Sequence, residues 1–216
     1  MAEGALTPDR ALALTHFPAP LRDAVEAVLR LDATLAEVVA ATTEPMIGTI
    51  RLAWWREALE KLDRETAPAE PRLAALGTHV LPRGVTGAML SRIEDGYATL
   101  LENPVDLDRV GQGGAALFEA IATLIGKDDP YLGKAGALAM LSRVRGLVPD
   151  EVTPRAHALM RELKGHRFPR ALRPLTLLAR LAARDFLRAE PEPEATPGRA
   201  FAMLSHRLSG IVSGAN

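Results

Sequence analysis

The chain has 216 residues, 48% hydrophobic and 25% charged, and its 26 Lys and Arg nearly balance its 27 Asp and Glu. That length buries a sizeable core unaided, and a net charge of −1 leaves no electrostatic footprint for nucleic acid. With no cysteine, structural disulfides, thiolate metal sites and a cysteine nucleophile are excluded, and a reducing compartment fits.

Met1-Ala2-Glu3-Gly4 has no basic region followed by an apolar run, so no secretory signal is expected. No apolar stretch is long enough to span a bilayer, and Ala135–Leu141 reads as buried helix. The expectation is a cytoplasmic protein with at most a peripheral contact at the inner membrane. Apolar positions recur at three and four almost throughout, which predicts an all-α, single-domain helical bundle.

Pro18 and Pro20 precede a first long helix from about Leu21 to Thr42, with Val25, Val28, Leu29, Leu35 and Val38 on its apolar face. Pro45 opens a second, to about Arg64, and the Pro-rich Ala67–Pro71 ends it. A short helix is predicted over Arg72–Val80, then two more over Val85–Glu102 and Leu107–Ile125, parted by Asn103-Pro104. Asp129 and Pro130 read as the cap and first turn of a helix reaching about Leu147. Thr153-Pro154 starts the next, and Phe168-Pro169 parts it from a helix around Arg170–Arg188.

The body of the fold is expected over residues 1–190, with an acidic, Pro-rich linker over 191–198. Residues 199–216 form a last helix and a fraying tail, and Phe201, Leu204, Leu208 and Ile211 share one side of that helix.

The most distinctive stretch is Glu44–Asp63, EPMIGTIRLAWWREALEKLD. Leu52, Trp55, Leu59 and Leu62 make one helical stripe, and Ile50, Trp54 and Ala58 a second beside it. Adjacent residues point about 100° apart, so burying both tryptophans calls for a helix packed on two sides. The charges on this helix, including Glu57 with Lys61 and Arg56 with Glu60, read as a solvated face.

This stretch resembles the E-P-x-x-G-x-x-R-L-x-W-W-R-x-x-L segment of the squalene/phytoene synthase family: Glu44, Pro45, Gly48, Arg51, Leu52, Trp54, Trp55, Arg56 and Leu59 fall in place. It is most similar to the divergent alphaproteobacterial branch, related to the mitochondrial assembly factor of respiratory complex I. Arg92 and Asp95 resemble the R-x-x-D of the next family helix, and Gly114–Phe118 the G-x-L-F stretch after it. The resemblance runs from about Leu21 to Leu147 and implies an isoprenoid-synthase-type bundle, truncated at its C-terminal end.

Family enzymes hold Mg²⁺ between two aspartate-rich motifs on facing helices, and the ions neutralise the leaving diphosphate. Paired carboxylates must share a helix face, at i,i+3 or i,i+4. Here the first motif's place reads LDATLAEVVAA over Leu31–Ala41, and Asp32 and Glu37 fall on different faces. The place of the second, N-x-x-R-D, reads Ser142-Arg143-Val144-Arg145-Gly146, which keeps only the arginine, Arg145. Other acidic pairs are interleaved with Arg or Lys, and the five histidines have no metal-ligand spacing. Lys164, His166, Arg167, Arg170 and Arg173 form a basic cluster that reads first as a solvated turn and otherwise as a headgroup, diphosphate or acidic-partner contact.

The reading that results is a divergent, non-catalytic squalene/phytoene synthase-like protein with no catalytic residue, metal ligand or cofactor. It binds an isoprenoid-like lipid or assists assembly of a respiratory complex by contacting a subunit. Arg51, Trp55, Arg92, Asp95 and Arg145 are the ligand-binding candidates that the resemblance implies. The alternatives are a Mg²⁺-dependent head-to-head prenyltransferase with an atypical metal site and a purely structural interaction domain.

Overall fold

The computed structural model describes residues 5–213, so the readings of Met1–Gly4 and of the end of the tail fall outside the described residues. Within them lie ten α-helices: α1 (Pro8–Thr15), α2 (Ala19–Ala40), α3 (Pro45–Lys61), α4 (Pro71–His79), α5 (Gly87–Ala98), α6 (Leu107–Ile125), α7 (Leu132–Val144), α8 (Pro149–Glu162), α9 (Arg173–Phe186) and α10 (Pro197–Ser209). Among the described residues there is no strand; two isolated bridges, Lys164 with Ser213 and Arg167 with Ile211, lay residues 211–213 beside the α8–α9 turn. The fold is all-α, as expected.

Local chemistry explains the boundaries. Proline occupies the first turn of α1, α2, α3, α4, α9 and α10, where its missing N–H costs no helical bond. Glu70, Thr86, Asp106 and Thr196 cap α4, α5, α6 and α10 by accepting first-turn backbone N–H groups. Gly126 and Gly210 end α6 and α10 at φ 69° and 74°, a conformation that costs glycine little.

Three local readings are corrected. Helix α1 was not foreseen. Asp129 is not a helix cap: its carboxylate accepts from Tyr131 N at 2.9 Å and pairs with His166, and α7 begins only at Leu132. Pro154 lies inside α8, which starts at Pro149.

Helices α3, α5, α6, α7, α9 and α10 follow one another as packed neighbours, with α2 lying across α4, α5 and α6. The α6–α7 crossing is close because two glycines meet there: a Cβ on Gly136 would stand 2.3 Å from Gly114 O. One large core, including Leu29, Leu35, Leu52, Leu90, Phe118 and Phe168, runs through the row. Helix α10 rests on a smaller cluster of Ala13, Leu177, Leu181, Ala202 and Met203.

The last segment is locked by His206, 1% exposed. Its Nδ1 lies 3.1 Å from Ile211 O and its Nε2 2.8 Å from the Thr176 hydroxyl, so a neutral ring donates to the carbonyl and accepts from Thr176. Burial, reinforced by Arg180, Arg173 and Arg207, pushes the imidazole down to about 4. Because the folded value lies below the unfolded one, the unfolded chain takes the proton first. Stability from this site is therefore full above the ordinary histidine range, falls as pH drops through it, and levels off below about 4. Urea titrations should lose up to about 3 kcal/mol over that window, and His206→Gln should flatten the loss.

Candidate functional site

Helix α2 is apolar along its buried face except at Thr34 and at Asp32, whose side chain is fully buried. An isolated carboxylate is not stable there, and three neighbours supply what it lacks. Arg10 of α1 reaches Asp32 Oδ2 at 2.6 Å, Tyr97 of α5 donates its hydroxyl to Oδ1 at 2.7 Å, and Arg143 of α7 pairs with Oδ2. Arg143 also donates to the Tyr97 oxygen at 2.6 Å. Burial alone would raise the Asp32 carboxyl, but Arg143, Arg10 and the Tyr97 hydrogen bond outweigh it and hold the group below the usual carboxylate range. Burial and Asp32 together push the Tyr97 phenol far up, so it stays a neutral donor.

Asp9, next to Arg10, extends the network outward. Arg199 of α10 bonds Asp9 at 2.5 Å and Asp185 of α9 at 2.6 Å, which joins three helices in one buried ion-pair chain. Between the two networks lies a cavity of about 220 Å³ lined by Arg10, Arg143, Asp9, Asp185 and Arg199 together with the apolar Leu178 and Leu181. The 191–198 segment is fastened to the same region: Glu192 pairs with Arg184 at 2.8 Å, and Glu194 accepts from Asp9 N at 3.1 Å.

The candidate ligand residues do not converge. Arg51 and Trp55 share a second cavity, of about 460 Å³, between α2, α3 and α4 with Thr34, Glu37, Val38 and Arg72. Arg51 is exposed and has no ion pair or hydrogen bond among the described residues. Arg92 and Asp95 line a separate polar groove between α3, α5 and α6. There Arg92 pairs with Glu119 at 3.0 Å, and Asp95 takes Arg109 at 2.8 Å and Arg56 at 3.3 Å. Arg56 also pairs with the buried Glu94 at 2.6 Å, so it is a helix-to-helix tie rather than part of a solvated face. Arg145 lies farther off: it donates to the carbonyls of Asp185, Arg188 and Ala189 and covers the Phe186 ring, closing the end of α9.

The two tryptophans part company. Trp55 is 6% exposed and Trp54 49%, with rings edge to face at 5.1 Å. The expectation that both are buried is corrected for Trp54, because α3 is the end of the helix row and, among the described residues, only the Glu65–Pro68 segment comes beside that ring. The basic cluster is also divided. Arg173 is buried and donates to the carbonyls of Phe168, Arg207 and Leu208, whereas Lys164, Arg167 and Arg170 face solvent.

Residues 6–111 match the model of the squalene/phytoene synthase family. The matched segment spans α1 to the start of α6 and includes Asp32, the Arg51–Trp55 motif, Arg92 and Asp95. No curated protein and no solved structure gives a match. Among the described residues no helix is long and apolar enough to cross a membrane.

The site fits Mg²⁺ poorly on its donor set. The carboxylate that α2 turns inward is taken up by two guanidinium groups and a phenol, and it does not line the neighbouring cavity, to which α7 presents Arg143 and Ser142. A divalent cation needs several oxygen ligands and does not favour a neighbourhood holding two cations for one anion. Arg10, Tyr97 and Arg143 were missed by the sequence reading. The available signal was Asp32 itself, since a carboxylate on an apolar helix face demands a cationic partner.

Proposed function

We propose that the chain is a non-catalytic squalene/phytoene synthase-like protein that binds an isoprenoid-like lipid with an anionic head. The observation that carries the first half is the Arg10–Asp32–Tyr97–Arg143 cluster, an internal ion-pair network that takes up Asp32 and Arg143, which lie in the two segments where the resemblance puts the family's metal motifs. Support for the second half is the cavity between α2 and α4. It has a volume suited to a small ligand, the free guanidinium of Arg51 for an anion, and Trp55 and Val38 for an apolar chain. Arg92, Asp95 and Arg145 are left outside that pocket by their ion pairs and carbonyl contacts.

A second reading, assistance in assembling a respiratory complex, is favoured by the outward face of α3. There Met46, Ile47, Ile50 and Trp54 are 71%, 49%, 64% and 49% exposed, an apolar patch of the kind that protein partners cover. Under that reading, cells lacking the chain lose assembled complex on native gels.

The test is incubation with labelled farnesyl diphosphate and Mg²⁺, with and without NADPH. No squalene, phytoene or cyclopropyl precursor is expected above a heat-killed control, and their appearance would establish the prenyltransferase alternative instead. In the same preparation, farnesyl phosphate should bind, and Arg51→Gln should weaken binding about tenfold, the worth of one charge-assisted contact. Binding unaffected by that change would remove the α2–α4 pocket from the proposal.

A further inference from the structure

Helix α10 is amphipathic in the inverted sense. Its charged or ionisable Arg199 and His206 are buried, at 6% and 1% exposed, together with Ala202 and Met203. Its large apolar side chains face outward: Phe201, Leu204 and Leu208 are 72%, 55% and 75% exposed. Positions 201, 204 and 208 lie about 180° from the buried ones around the helix, so the stripe is the outer face itself and not its margin. The expectation of a conventional amphipathic helix identified the stripe but not its direction. The buried Arg199–Asp9 and Arg199–Asp185 pairs and the His206–Thr176 hydrogen bond hold the helix in this orientation.

Exposed charge at the C-terminal end of the stripe is basic, and Asp129, which pairs with His166 there, is buried. No Asp or Glu occurs from Lys164 to Arg184 or from Pro197 to Ser213. The isolated bridges, and the Phe168 N to Gly210 O bond of 2.9 Å, lay the 164–168 segment against the end of α10. Arg173 fixes the two pieces by donating to Arg207 O at 3.0 Å and Leu208 O at 2.8 Å. Arg167 and Arg170 are thereby exposed around Arg173 at the C-terminal end of α10, Lys164 is exposed opposite Ser213, and Arg207 flanks Leu208 half-buried. The acidic 190–194 stretch is kept at the other end, near Arg184 and Arg199. Apolar side chains projecting from a helix with cations alongside are what an interfacial helix offers an anionic bilayer surface.

We propose that α10 docks this protein on a membrane rich in anionic lipid, with Phe201, Leu204 and Leu208 entering the headgroup–acyl boundary and Arg167, Arg170 and Arg207 meeting lipid phosphates. The α3 patch lacks such a basic end, since Glu44 and Glu57 lie at its two ends. The inference is independent of the function proposed above, because it uses none of the residues of the α2–α4 pocket.

The test is co-sedimentation of the full chain with phosphatidylcholine vesicles, with and without phosphatidylglycerol. Binding is expected with phosphatidylglycerol, weakening as salt screens the phosphates. Phe201→Ser with Leu204→Ser should lower the partition coefficient at least about tenfold, because two exposed apolar side chains lose their burial in lipid. Helical circular dichroism should be unchanged. Should the double variant misfold, Leu208→Ser at the helix end should show a smaller loss in the same direction. Arg167→Gln with Arg170→Gln should remove the phosphatidylglycerol preference, and Ile50→Ser on α3 should leave vesicle binding as it was. The proposal is overturned by an absence of vesicle binding, by equal binding to both vesicle types, or by a loss on Ile50→Ser matching that of the α10 variants. It is equally overturned if Leu204→Ser abolishes self-association in sedimentation velocity and leaves vesicle binding intact, which would make the stripe an interface between copies.

Discussion

Asp32→Ala should destabilise the protein by about 3–5 kcal/mol, the cost of leaving a buried charge without its partner. Removing the carboxylate strands Arg10, whose side chain is 8% exposed, with Arg143 close by. Burial and repulsion from Arg143 already depress the Arg10 guanidinium with Asp32 in place. The whole cluster, by contrast, is expected to be replaceable. Arg10→Met, Asp32→Leu, Tyr97→Phe and Arg143→Met together should recover most of the stability that the single change loses, since apolar substitutes avoid the desolvation of three ions. Urea unfolding of wild type, single variant and quadruple variant measures both effects. The functional content lies in the control with Mg²⁺. A structural ion pair predicts a thermal midpoint insensitive to the cation. A midpoint raised by Mg²⁺ in wild type and not in Asp32→Asn would make Asp32 a metal ligand and return the cluster to catalysis.

Periodicity made the helix row readable. Helix α6 falls on its predicted bounds, Leu107–Ile125, because an Asp cap and a left-handed glycine mark both ends in the sequence itself. Helix α1 was not legible: it is eight residues long, and its value to the fold lies in Asp9 and Arg10, whose partners are Arg199 and Asp32. Spacing correctly separated Asp32 from Glu37, for one turns into the core and the other lines the α2–α4 cavity. It carried no information on what Asp32 meets, because Tyr97 and Arg143 are brought to it only by the packing of α5 and α7 against α2 and α6. The outward direction of the α10 stripe was hidden for a related reason. A helical wheel gives the angle between residues and not which side has a neighbour, and here buried ion pairs decide the side.

The same limit explains the tryptophans, and the pair supplies the second large effect. Trp55→Ala should cost about 3–5 kcal/mol, since it empties a site in the main core beside Leu52 and Leu59. Trp54→Ala should cost about 1 kcal/mol: its ring is 49% exposed, and the edge-to-face contact with Trp55 is its chief loss. Fluorescence separates the two without relying on stability. The chain has two tryptophans, so each Trp→Phe variant leaves one reporter. Trp54→Phe should leave a blue-shifted emission shielded from iodide, and Trp55→Phe a red-shifted emission that iodide quenches readily. Equal quenching in the two variants would mean that α3 has a further neighbour in solution, covering Trp54 along with Met46, Ile47 and Ile50. A partner or a second copy seated on that face would then account for the sequence's demand that both rings be buried.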